Sequence, residues 1–92
     1  MGKKFLIIDD SALMRRVISD IIKENYDDVE ALDTAVNGLE GFDKLVSKPG
    51  YYDLVILDIN MPKMNGLELL EMLQKNRMNE TVVVVSTVAR ES

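Results

Sequence analysis

The chain has no cysteine and no histidine among its 92 residues. The first absence removes disulfides, thiolate metal sites and cysteine nucleophiles. The second removes every imidazole base and ligand. Acid, base, nucleophile or metal chemistry therefore falls to Asp, Glu, Ser, Thr, Lys or Tyr. No apolar run approaches the length of a membrane span. The first, residues 5–8, is far too short for a signal peptide and ends in two acids. A soluble, cytoplasmic protein is expected. Basic charge is also in short supply: 11 Lys and Arg against 16 Asp and Glu give a net charge of −5. Broad nucleic-acid binding is not expected from such a surface.

What is present suits one small folded domain over residues 1–92, with 47% hydrophobic and 29% charged residues. Four strand candidates recur, at 4–9, 29–35, 54–58 and 81–86. Their starts are spaced by 25, 25 and 27 residues. Helical patterns fill the gaps. Ser11 is placed to cap the first, which carries Leu13, Val17, Ile18, Ile21 and Ile22 at helical spacing. Asn37-Gly38 opens the second, with Leu39, Phe42, Leu45 and Val46 on one face, and Pro49-Gly50 stops it. Asn65-Gly66 opens the third, with Leu67, Leu70 and Leu73. These stripes read as core faces. Strand alternating with helix predicts an α/β fold with a parallel sheet. A further 25 residues would place a fifth strand near 106, beyond Ser92. The expectation is an incomplete domain whose fourth strand is an edge open to pairing between chains.

Two apolar strands end in acid. Phe5-Leu6-Ile7-Ile8 runs into Asp9-Asp10, and Leu54-Val55-Ile56-Leu57 runs into Asp58. Ligands of an open parallel sheet bind at the carboxyl ends of its strands. If the first and third strands are neighbours, three carboxylates meet there. Such a group takes up a proton or recruits a cation. Oxygen ligands alone favour Mg²⁺ or Mn²⁺. A carboxylate can also attack phosphorus and form an acyl phosphate. Ser86, at the end of the fourth strand, is placed to donate to a phosphate oxygen, although a serine there is more often a turn former. Helix capping is the plainer reading for Asp9 or Asp10, but it leaves Asp58 unexplained.

The segments Ile7-Ile8-Asp9-Asp10-Ser11-Ala12-Leu13-Met14-Arg15, Asp58-Ile59-Asn60-Met61-Pro62-Lys63-Met64-Asn65-Gly66 and Val85-Ser86 resemble a response-regulator receiver domain of two-component signalling. The first segment is most similar to chemotaxis regulators, including the regulatory domain of the receptor methylesterase. The resemblance implies a flavodoxin-like, doubly wound sheet in order 2-1-3-4, lacking a fifth βα unit. It implies that a histidine kinase phosphorylates Asp58. It makes Asp9, Asp10, Asp58 and the Asn60 backbone carbonyl the Mg²⁺ ligands, and Ser86 the switch hydroxyl. It puts Asn60 and Val88 where the family tunes dephosphorylation. An output domain or target protein is implied without being identified.

The resemblance also implies a lysine and an aromatic switch residue on the fifth strand, neither of which falls within these residues. Impaired phosphorylation and signalling are therefore expected. One rival is a non-signalling fragment that folds or self-assembles through the open fourth strand. Another is an aspartate-based phosphohydrolase, which typically carries a second acid where this chain has Asn60. A nucleotide-binding P-loop is absent from the sequence.

Overall fold

The computed structural model describes residues 2–58, 66–75 and 82–85. Its elements alternate as the spacing predicts: β1 (Lys3–Ile8), α1 (Ala12–Asn25), β2 (Val29–Ala35), α2 (Gly38–Ser47), β3 (Leu54–Asp58), α3 (Gly66–Lys75) and β4 (Val82–Val85). The four strands form one sheet in the order β2-β1-β3-β4. Every neighbouring pair is parallel.

The strand residues alternate between two apolar clusters, as a period of two requires. Leu6, Ile8, Val55 and Leu57 join Leu45 of α2 and Leu69 of α3. Phe5 and Ile7 join Ile22 of α1, with Leu54 and Ile56 packed alongside. Helices thus cover both faces, which is why β1 and β3 read as unbroken apolar runs. Each fully buried aliphatic side chain contributes roughly 1.5–3 kcal/mol. The edge strand β2 is different: Glu30, Asp33 and Thr34 interrupt its apolar residues.

The helical stripes are only partly core faces. Ile22 is buried, whereas Leu13, Val17 and Ile21 are exposed by 70%, 39% and 52%. Leu39, Val46 and Leu67 are exposed as well. Among the described side chains of α3 the buried one is Leu69, which the reading of Leu67, Leu70 and Leu73 passed over. The side chains of Leu70 and Leu73 lie outside the description. The physical reason is geometric. At about 100° per residue, Leu69 lies roughly 200° from Leu67, so both cannot face the sheet.

Local chemistry fixes where the helices begin. The Ser11 hydroxyl accepts from the Met14 N–H at 3.2 Å and caps α1. Asn37 accepts from the Glu40 N–H at 2.8 Å, and Glu40 accepts in return from the Val36 N–H at 2.9 Å. This reciprocal exchange satisfies amide donors at the start of α2. After α2, the Tyr51 N–H donates to the Lys48 carbonyl across Pro49-Gly50. Gly50 takes φ +72 there, a left-handed conformation that favours glycine.

Candidate functional site

Strand register builds the site. Ile8 is the partner of Leu57 across β1 and β3. The next position on each strand is Asp9 and Asp58, so the two acids emerge side by side at the carboxyl end of the sheet. Asp10 follows at the turn into α1. Carboxylate oxygens of Asp9, Asp10 and Asp58 lie within 4.8 Å of one another. Asp9 and Asp58 are almost wholly buried, at 1% and 3% exposure, while Asp10 is exposed. On β4, Val85 is the partner of Asp58. Ser86 comes next in sequence, but Ser86, Asn60 and Val88 lie outside the described residues.

Asp9 is held by a local hydrogen-bond pattern. Its Oδ1 accepts from the Ser11 N–H at 2.9 Å, and its own N–H donates to the Ala35 carbonyl at 3.1 Å. Arg15 Nη1 donates to the Asp9 carbonyl at 2.8 Å. Asp9 therefore shapes the turn into α1, and Ser11 is the cap. The capping reading fails for both acids, since neither side chain caps the helix.

The remaining oxygen is the informative one. Asp9 Oδ2 is buried and has no hydrogen-bond partner among the described residues. Burial raises the Asp9 carboxyl above its ordinary value of 3.8, and the Ser11 N–H counters this. Asp58 and Asp10 add to the rise through like-charge repulsion, and Arg15 opposes it. An anionic oxygen that lacks a donor, beside two further carboxylates, fits a hard divalent cation. The donor set is all oxygen, which disfavours softer metals.

Two contributors were not assigned a role from the sequence. Arg15 lies one turn into the helix after the acids, so its reach back was readable only from its position. Gly41 of α2 lies against β1 just before the site. A Cβ at Gly41 would come within 2.5 Å of Ile8 Cδ1. Only the missing side chain lets α2 sit this close to the strand that delivers Asp9.

A doubly wound parallel sheet takes its ligands at the carboxyl ends of its strands, and here that end carries the clustered acids. Comparison identifies the family. Residues 5–92 match the response regulator receiver domain family, and the chain belongs to it. It is 38% identical over 94 residues to the chemotaxis protein CheY of Thermotoga maritima, covering 100% of this chain and 73% of that protein. It is 40% identical over 88 residues to a protein-glutamate methylesterase/protein-glutamine glutaminase of Clostridium acetobutylicum. That match covers 95% of this chain and 24% of the relative, so the chain spans about a quarter of the methylesterase. Among solved structures it resembles the response regulator TrrA of Thermotoga maritima in complex with Mg²⁺-BeF, with a TM-score of 0.79 and 33% identity. The likeness covers 95% of this chain and 71% of TrrA. The flavodoxin-like fold and the kinship with chemotaxis and two-component proteins are thus as expected. Among the described residues no helix is long and apolar enough to cross a membrane.

Proposed function

We propose that this chain is the phosphoacceptor module of a two-component system and that Asp58 receives the phosphoryl group from a histidine kinase. The observation that carries this reading is the convergence of Asp9, Asp10 and Asp58, with a buried Asp9 oxygen lacking a partner among the described residues. In the transfer, an Asp58 carboxylate oxygen attacks phosphorus, the phosphorus–nitrogen bond of phosphohistidine breaks, and the imidazole leaves with the bond's electron pair. The product is an acyl phosphate, and in this reading Asp58 serves as a covalent acceptor and not as the centre of a turnover enzyme. Asp9, Asp10, Asp58 and the Asn60 carbonyl would hold Mg²⁺ or Mn²⁺. That cation would neutralise phosphoryl charge.

In the same reading Ser86 supplies the switch hydroxyl, and the Asn60 and Val88 side chains set the rate of dephosphorylation. The output domain or target protein is a separate partner. Thermal melting with and without Mg²⁺ tests the site. The metal is expected to raise the melting temperature, and Asp10→Ala or Asp58→Ala should remove the rise. Metal-independent melting of the parent chain would defeat the reading. Beryllofluoride should bind the parent and not Asp58→Ala. Sustained turnover of a phosphate ester would instead identify a phosphohydrolase.

A further inference from the structure

In an extended strand, neighbouring side chains point to opposite faces. Asp9 and Asp10 are neighbours in sequence, yet a carboxylate oxygen of each lies within 4.8 Å of the other and of one from Asp58. The chain must therefore leave strand geometry at the peptide unit that joins the two acids, and β1 does end at Ile8. That peptide unit carries the Asp9 carbonyl, the atom to which Arg15 Nη1 donates at 2.8 Å. Arg15 is half-buried and reaches back from the first turn of α1. Its own N–H donates to the Ser11 carbonyl at 2.9 Å. One residue thus holds the turn after Asp9 at two places. The Asp10 side chain is exposed and makes no hydrogen bond or ion pair among the described residues. Repulsion from Asp9 and Asp58 would drive it away from them if the peptide could swing.

We propose, on the metal-binding reading of these three acids, that Arg15 is a positioning residue for the divalent cation: by holding the Asp9–Asp10 peptide it keeps their carboxylates converged before the metal arrives. Arg15 grips a main-chain oxygen and so leaves the carboxylates free. Its effect on binding has two parts of opposite sign. The guanidinium charge repels a dication, so losing the charge alone raises affinity. Losing the hydrogen bond frees the peptide, which must then be ordered on binding, and affinity falls. The choice of cation separates the two. Mg²⁺ demands near-ideal octahedral geometry, whereas Ca²⁺ accepts looser arrangements. A loosened turn should cost Mg²⁺ more than Ca²⁺, while a change of charge acts on both alike.

Amide NMR titrations of the 92-residue chain with magnesium and with calcium chloride read both affinities. Arg15→Met keeps the stem and removes the donor and the charge. Its affinity for Mg²⁺ relative to Ca²⁺ should fall about fivefold, the size of one ordinary hydrogen bond. A metal-free measurement stands beside it. The Ser11 N–H donates to Asp9 Oδ1 at 2.9 Å, and in Arg15→Met its exchange with solvent should quicken several-fold while amides within β1 keep their protection. Arg15→Lys holds the charge on a stem one bond shorter and should show both changes in smaller measure. It carries the test if circular dichroism shows that Arg15→Met does not fold. Equal changes in the two affinities would overturn the proposal, since they would mark a through-space effect of charge. Unchanged exchange at Ser11 would overturn it too, as would quickening throughout β1, which would mark a general loss of stability. A parent that binds neither cation overturns the metal reading and the positioning role together. A parent that binds Mg²⁺, with an Mg²⁺ to Ca²⁺ preference that survives in Arg15→Met, overturns the positioning role alone.

Discussion

At the amino ends of the strands, opposite charges and donors answer one another; at the carboxyl ends, three acids converge. Lys4 and Asp53 exchange two hydrogen bonds, from the Lys4 N–H to Asp53 Oδ2 at 2.8 Å and from the Asp53 N–H to the Lys4 carbonyl at 2.7 Å. Lys4 Nζ lies 3.9 Å from Glu30 and 5.2 Å from the centre of the Tyr51 ring, and Lys48 Nζ lies 4.5 Å from that same ring. The other end has Arg15 bonded to a main-chain carbonyl and a buried Asp9 oxygen with no partner among the described residues. One end is finished by the chain itself. The other is shaped for something added. Local conflict of that kind is expected where a protein has a function to serve.

The contrast is broken most strongly at Asp9. Asp9→Asn removes a buried charge and its repulsion with Asp10 and Asp58. The metal-free variant should be more stable than the parent at neutral pH, by about 1–2 kcal/mol. It should also lose most of the stabilisation by Mg²⁺. The pH dependence has a definite sign. The folded-state value of Asp9 is raised above 3.8, so the native state holds this proton where the unfolded chain has released it. The resulting stabilisation is complete below 3.8 and is lost as pH rises through the raised value. Urea midpoints measured without metal should therefore show the parent approaching the variant as pH falls. A gap that stays constant with pH would mean that the Asp9 charge is not what costs the apo fold.

Much of this arrangement is legible in the sequence, for reasons that differ by element. The limits of β3 are those expected, because Leu54 to Leu57 is bounded by residues that end an apolar run. The strand β1 begins one residue earlier and ends one earlier than expected, at Lys3 and Ile8. The stem of a lysine serves as well as an apolar residue at a strand start, and Asp9 turns the chain toward α1. The meeting of Asp9 with Asp58 followed from supposing that the first and third strands are neighbours. The orientation of α1 was not legible. Leu13, Val17, Ile18, Ile21 and Ile22 cover a wide arc, and periodicity cannot tell which side of that arc meets the sheet. Nor does composition reveal that one Asp9 oxygen would lack a donor. That depends on where Ser11 and Arg15 direct their N–H groups. The roles given to Asn60, Ser86 and Val88 still rest on sequence and kinship.

A smaller effect is expected on the side of the β2–β1–β3 sheet where Tyr52 lies. Its hydroxyl donates to Asp33 Oδ2 at 2.6 Å, while its ring belongs to the buried cluster with Leu6 and Val55. Burial, followed by the hydrogen bond to Asp33, raises the phenol well above its ordinary value of 10.0. Tyr52→Phe keeps the ring and deletes the donor. Because Asp33 is half-buried, water can replace part of the lost bond, and the cost should be about 1 kcal/mol in chemical denaturation. The response to Mg²⁺ should not change. A shift in metal response would show that the two ends of the sheet are coupled through β2 and β1.

The smallest effect is expected where the charges already look best matched. Lys4 and Glu30 stand at 3.9 Å, with side chains 27% and 54% exposed. That is the long limit of an ion pair, and solvent screens it. Lys4→Met keeps the stem against Tyr51 and removes the charge. The backbone exchange with Asp53 does not depend on the side chain and should persist. The expected loss is under about 0.5 kcal/mol at low salt and less at high salt. If Lys4→Met instead costs as much as Tyr52→Phe, the ammonium's approach to the Tyr51 ring is the main contact and should respond to Tyr51→Leu. If the cost is near zero, the order at the amino ends comes from main-chain bonding. The contrast with the carboxyl ends would then lie in burial: each carboxylate accepts one backbone N–H, Asp53 from Lys4 and Asp9 from Ser11, but Asp53 is exposed, whereas the second Asp9 oxygen is buried with no partner among the described residues.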